Sequence, residues 1–178
     1  PEIFDKAGNY NWQNFDQFLK IYEIVTSIFL EEKNFEALVR HVIDKQVKEN
    51  VIYNEIFLGP HLWSDSPNHH WEHFLNIASK VADEYEKKYG IYTYFIIVCI
   101  RHLGPEKALE ASRFASKVKD KNVVGFGMAG DETKFNTLDF MRSFDSAKNS
   151  GLGTTAHAGE ICGAKSVDEA IKLGVTRV

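Results

Sequence analysis

Apolar positions along the chain fall into two alternating patterns. One is a run of near-continuous β-forming residues, seen at Val51–Leu58, Ile91–Ile100, Asn122–Met128 and Leu152–Ala156. The other recurs every three or four residues and predicts helices over Asn14–Leu30, from Asn34 to about Lys48, and over Trp71–Lys88, Pro105–Val118 and Thr137–Lys148. Asn34 reads as an N-cap, Pro105 as a first-turn proline, and Ser166-Val-Asp-Glu169 as a capping box that opens another helix. Val175–Val178 reads as the start of a fifth strand. Strands of near-continuous apolar character, with helices between them, predict a parallel sheet covered on both faces. Two architectures satisfy this pattern: an open doubly wound sheet, or part of a (β/α)8 barrel.

Composition narrows the class. The 178 residues are 44% apolar and 26% charged, with 4 Pro, as in a globular domain and unlike a disordered or collagen-like chain. The balance of 21 Lys+Arg against 25 Asp+Glu leaves a net charge of -4 and no basic stripe, so no nucleic-acid partner is expected. The most apolar run, Tyr94–Ile100, is far short of the roughly 20 residues that cross a bilayer. No cationic leader precedes an apolar stretch. Cys99 and Cys162 lie far apart and outside any CxxC pair. The expectation is a cytoplasmic protein with reduced thiols and no membrane partner, its residues 1–178 belonging to one domain without a linker.

In both architectures ligands bind at the carboxyl ends of the strands. Those ends carry Gly59-Pro60-His61, Arg101-His102, Ala129-Gly130-Asp131-Glu132 and His157-Ala-Gly-Glu160, which predicts one shared mouth. Gly125-Phe-Gly127-Met-Ala-Gly130 matches the dinucleotide fingerprint in letters only. That fingerprint needs a helix opening at its third glycine to hold a pyrophosphate, and here Asp131 and Glu132 follow instead. His70 and His73 have a metal-binding spacing, but their neighbours Ser64, Asp65, Ser66, Pro67 and Asn68 mark a solvated helix start. His157 and Glu160 are the sharper pair. Small residues between them let an imidazole and a carboxylate face one cavity, as a zinc ligand and a proton donor or simply as a satisfied loop pair.

Val123-Val-Gly-Phe-Gly-Met-Ala-Gly-Asp-Glu132 followed by Thr154-Thr-Ala-His-Ala-Gly-Glu160 resembles the adenosine deaminase family. Tyr53-Asn-Glu-Ile-Phe-Leu-Gly-Pro-His-Leu62 and Cys99-Ile-Arg-His102 resemble two further motifs of that family, in its order. The resemblance implies a (β/α)8 TIM barrel, one zinc ion, and hydrolytic deamination of adenosine to inosine and ammonia. Adenine or AMP as substrate, or a truncated non-catalytic paralogue with a binding role, remain the alternatives. It also implies roles: His157 as a zinc ligand, Glu160 as the proton donor to purine N1, and Gly130 as the backbone contact to N3. Phe18, Leu19 and Tyr22 fall on the apolar lid over the purine nucleoside. Asp131, Glu132, Arg101 and His102 are expected to orient the loops rather than react.

The family's first-strand HxH pair, its GHG turn and its zinc-ligating Asp have no counterpart in the sequence, and Gly127 stands where many members carry Asp. The expectation is therefore an incomplete barrel of about strands two to six, inactive alone, with the Pro1 start and the stop at Val178 as missing ends.

Overall fold

The computed structural model describes residues 2–64 and 69–178, with His69 described by its backbone alone. The polar segment 65–68, the side chain of His69 and Pro1 lie outside the described residues. Four strands form one parallel sheet: β1 (Tyr53–Leu58), β2 (Tyr92–Ile100), β3 (Val123–Ala129) and β4 (Gly153–Ala156). Among the described residues six α-helices accompany them: α1 (Phe15–Thr26), α2 (Glu32–Lys48), α3 (His69–Tyr89), α4 (Pro105–Lys117), α5 (Met141–Asn149) and α6 (Ala164–Lys172).

Strand order decides between the two architectures. The order is β1-β2-β3-β4, each strand added beside the one before it. A doubly wound sheet reverses that direction at its switch point, and no reversal occurs here. Phe95, Ile97 and Cys99 of β2 and Phe126 and Met128 of β3 are buried with Trp71 and Leu75 of α3, Ala108 and Ala111 of α4, and Phe144 of α5. Each of the larger aliphatic and phenylalanine side chains among these contributes about 1.5–3 kcal/mol on leaving water, which fixes the helices on that outer face.

The opposite face is lined by alternate residues. Ile96 and Val98 there stand opposite Gly125 and Gly127 of β3. A Cβ on Gly125 would lie 3.2 Å from both the Gly153 carbonyl oxygen and Ile96 Cγ1, and one on Gly127 3.2 Å from Thr155 Cγ2. The two glycines are spacers inside a strand that admit the larger side chains of β2 and β4. They form no phosphate-binding turn, and the fingerprint match is one of letters. Arg177, past β4, pairs with Glu55 of β1 across this face, so the sheet curls back toward its own first strand. Sequential parallel strands, helices outside and small residues inside make this a partial (β/α)8 barrel.

Several boundaries differ from the sequence pattern. The first predicted helix stops at Thr26, whose hydroxyl donates to the Tyr22 carbonyl at 2.9 Å, and continues as a 3-10 turn over Ser27–Leu30. Asn34 is not an N-cap: α2 begins at Glu32, and the Asn34 amide donates to the Ile28 carbonyl at 2.9 Å. Ser166 is not the start of α6 either. The helix begins at Ala164 after Gly163, whose φ is 66°, and the Ser166 hydroxyl is drawn to a distant partner described below. The expected fifth strand is reduced to one parallel bridge, Thr155 to Arg177, with the Thr176 amide donating to the Thr154 carbonyl at 2.8 Å. Among the described residues no helix is long and apolar enough to cross a membrane.

Candidate active site

Each strand delivers its following residues to the same end of the sheet, but not all of them enter one mouth. A cleft of about 310 Å³ lies there, with Ile100, His102, Ala129, Gly130, His157 and Glu160 on the barrel side. Phe15, Phe18, Leu19, Tyr22 and Glu23 of α1 close it from the other side. The helix places these residues on one face by their three- and four-residue spacing, and Phe18 packs on Phe15 and Tyr22 at ring-centroid distances of 5.7 and 6.1 Å. Asn14 caps this helix by accepting the Gln17 amide at 3.0 Å.

His61 does not join the mouth. The 3-10 turn Pro60–Leu62 rotates it outward beneath Trp71, with ring centroids 4.7 Å apart and Nε2 3.5 Å from a Glu110 carboxylate oxygen. Leu62 faces the cleft in its place. The His70–His73 pair also stands apart: both are exposed, and His73 Nε2 lies 2.9 Å from Glu32.

His157 follows β4, and its amide donates to the Met128 carbonyl at 3.0 Å, which seats it beside β3. Its ring is exposed in the cleft, 6.1 Å from the ring of Phe57. Neither its ring nitrogens nor the Glu160 carboxylate makes a hydrogen bond or ion pair with another described residue, so both are free to meet a ligand. A free imidazole in a cleft fits one position of a zinc site. It does not complete one, because no group of three or more His, Cys, Asp or Glu that could hold a metal occurs among the described residues.

Gly130 has φ of 103°, and a Cβ there would lie 2.9 Å from His102 Nδ1 and 3.2 Å from the Arg101 amide. Only glycine meets both constraints without a shift. His102 lies beneath this turn, its Nδ1 accepting the Asp131 amide at 3.3 Å. Arg101 is buried away from the cleft. Its guanidinium donates to the carbonyls of Lys134 and Phe135 at 2.9 and 3.1 Å and to the Thr137 hydroxyl at 3.0 Å. Asp131 also turns inward, accepting the Thr133 amide and hydroxyl at 2.9 and 2.6 Å.

Glu132 makes the contact that the sequence pattern hid. Glu132 is 2% exposed, and its carboxylate accepts the amides of Gly159, Ile161 and Cys162 at 2.6, 2.5 and 2.8 Å and the Ser166 hydroxyl at 2.5 Å. Burial works to raise its pKa, but the Ser166 hydroxyl and the Cys162, Ile161 and Gly159 amides outweigh it and hold it at about 2. Ser166 and Glu132 are 34 residues apart. The sequence marks Glu132 as a loop-orienting residue but names no partner for it; the serine at capping-box spacing turns its hydroxyl to this carboxylate instead.

Residues 2–178 match the adenosine deaminase family. The chain is 32% identical over 176 residues to an adenine deaminase of Agrobacterium fabrum, a match covering 96% of this chain and 52% of that protein. It superposes on the crystal structure of adenine deaminase from Arthrobacter aurescens with a TM-score of 0.84 at 23% identity, covering 93% of this chain and 50% of the other. A Burkholderia ambifaria amidohydrolase with bound Zn gives a TM-score of 0.82 at 19% identity, covering 98% and 50%. The two superpositions establish the fold, and the chain spans about half the length of the relatives it matches. A match running from residue 2 to residue 178, with a relative above 30% identity, leaves one assignment: the chain belongs to the adenosine deaminase family.

Proposed function

We propose that this chain forms the purine-binding half of a hydrolase that converts adenine and water to hypoxanthine and ammonia. The observation that carries the reading is a free imidazole and a free carboxylate, His157 and Glu160, lining one cleft with an aromatic wall over it. The choice of the free base over adenosine, which the sequence motifs alone had favoured, rests on the adenine deaminases among the relatives.

Zinc, held by His157 together with ligands that this chain does not bring to the cleft, would lower the pKa of a bound water toward about 7. The chain's own residues do the rest. Glu160 in its protonated form donates to purine N1, which makes C6 more electrophilic and readies it for water attack. The Gly130 amide contacts N3, where the absence of a side chain permits close approach. Phe18, Leu19 and Tyr22 cover the ring and exclude bulk water, which strengthens every polar contact beneath them. The amine leaves as ammonia. Arg101 and Asp131 hold their loops in shape away from the purine, and His102 supports the Gly130 turn from the cleft wall.

A panel of adenine, adenosine and AMP, assayed for ammonia release with the zinc-loaded full-length protein, tests the reading. The expected order has kcat/KM for adenine at least about 100-fold above either alternative, since adenosine and AMP replace the N9–H of adenine with a bulky ribose, and a site that hydrogen-bonds an N–H rejects analogues lacking it by such factors or more. A preference for adenosine or AMP would move the substrate assignment, and no release from any of them would remove it.

A further inference from the structure

We infer that Glu132 is a positioning residue for Glu160, acting as the buried anion around which the catalytic loop is wound. The inference rests on the deaminase reading for its kinetic consequence and on geometry alone for its structural one. Every residue from Gly159 to Cys162 is exposed, as is Gly163. The loop therefore has no buried apolar side chain of its own to hold its shape. Its conformation comes from the Glu132 carboxylate, which takes the amides of Gly159 and Ile161 on either side of Glu160, then the amide of Cys162. Fixing both neighbouring amides fixes the direction in which the Glu160 side chain leaves the backbone, into the cleft.

Two further details bind the loop to this anion. The Ser166 hydroxyl donates to Glu132 and also accepts the Gly159 amide at 2.8 Å, which joins the first turn of α6 to the clamp. Gly159 has φ of 83°, and a Cβ there would lie 2.9 Å from Val167 Cγ2, so the chain reverses tightly against α6 at this point. A carboxylate suits the position because all its neighbours are donors. A carboxamide of the same shape would point its NH2 at a backbone N–H in either orientation, the Gly159 amide or the Ile161 and Cys162 amides, and lose one side of the clamp.

The test uses the full-length protein and two readouts. Amide exchange at Gly159, Ile161 and Cys162 is expected to rise at least about tenfold in Glu132→Gln while amides of β2 and β3 keep their protection. On adenine, kcat is expected to fall about 100-fold, the cost of displacing a reacting group by about an ångström, with KM nearly unchanged. Added to Glu160→Gln, the same substitution is expected to lower kcat no further, because the group it positions is already gone. Ser166→Ala removes one donor and keeps the carboxylate, and should show a weaker form of the same pattern if Glu132→Gln fails to fold. Unchanged exchange at the three amides, or fully multiplicative losses in the double variant, would overturn the inference. If the wild-type protein releases ammonia from no purine, the deaminase reading fails, and the exchange measurement alone decides whether Glu132 holds the loop.

Discussion

Glu160→Gln in the full-length protein is expected to lower turnover of adenine by about 10²- to 10⁴-fold, the range for loss of a general acid. The substitution keeps size and removes the acidic proton. It should leave the fold untouched, since the carboxylate of Glu160 is exposed and makes no hydrogen bond with another described residue. The loop around it is held through the backbone amides of Gly159, Ile161 and Cys162, which the substitution does not alter. Zinc content should therefore match the wild type, and the loss should fall on kcat rather than KM, as for an interaction made only in the transition state. Steady-state kinetics with parallel metal analysis separates the two. Near-normal turnover would take Glu160 out of the mechanism.

His157→Ala should instead remove metal and activity together. Its imidazole is exposed in the cleft, and its one described aromatic neighbour is Phe57 at 6.1 Å. Removing the side chain takes away little packing, so the metal-free proteins should differ in stability by no more than about 0.5 kcal/mol. The difference appears on adding zinc. A ligand that binds only the folded state raises the melting temperature, and that rise should be present in the wild type and absent in His157→Ala. Elemental analysis after dialysis, read beside thermal melts with and without zinc, checks the expectation. A variant that keeps stoichiometric zinc would move the metal site elsewhere.

The sequence makes the barrel readable above all through β2, which is apolar on both faces over most of its length. Ile91–Ile100 is expected from its unbroken β-forming run, and β2 occupies Tyr92–Ile100. Helix boundaries were less legible wherever a side chain had a choice of partner. Asn34 has the chemistry of a cap, yet spends its amide on the Ile28 carbonyl six residues back. Ser166 has the spacing of a capping box, yet its hydroxyl serves a carboxylate on another strand end. Local spacing encodes such bonds poorly, since the partner arrives only when β3 and β4 are side by side. His61 shows the same limit at the site: a polar residue at a strand end was expected in the mouth, and one 3-10 turn sends it under α3. His157 and Gly130 reach the cleft as expected because each directly follows the last residue of its strand, with no intervening turn to redirect it; Glu160 lies beyond the tight reversal at Gly159, and only its motif pointed to it.

The measurement that bears most directly on the site is diffraction at the zinc edge from crystals of the full-length protein grown with zinc and hypoxanthine. The expected map has an anomalous peak about 2 Å from an imidazole nitrogen of His157. The purine should lie beneath Phe18 and Tyr22, with the Glu160 carboxyl at N1 and the Gly130 amide at N3. A zinc peak remote from His157, or a purine bound outside the cleft between α1 and the ends of β3 and β4, would contradict the assignment of this site.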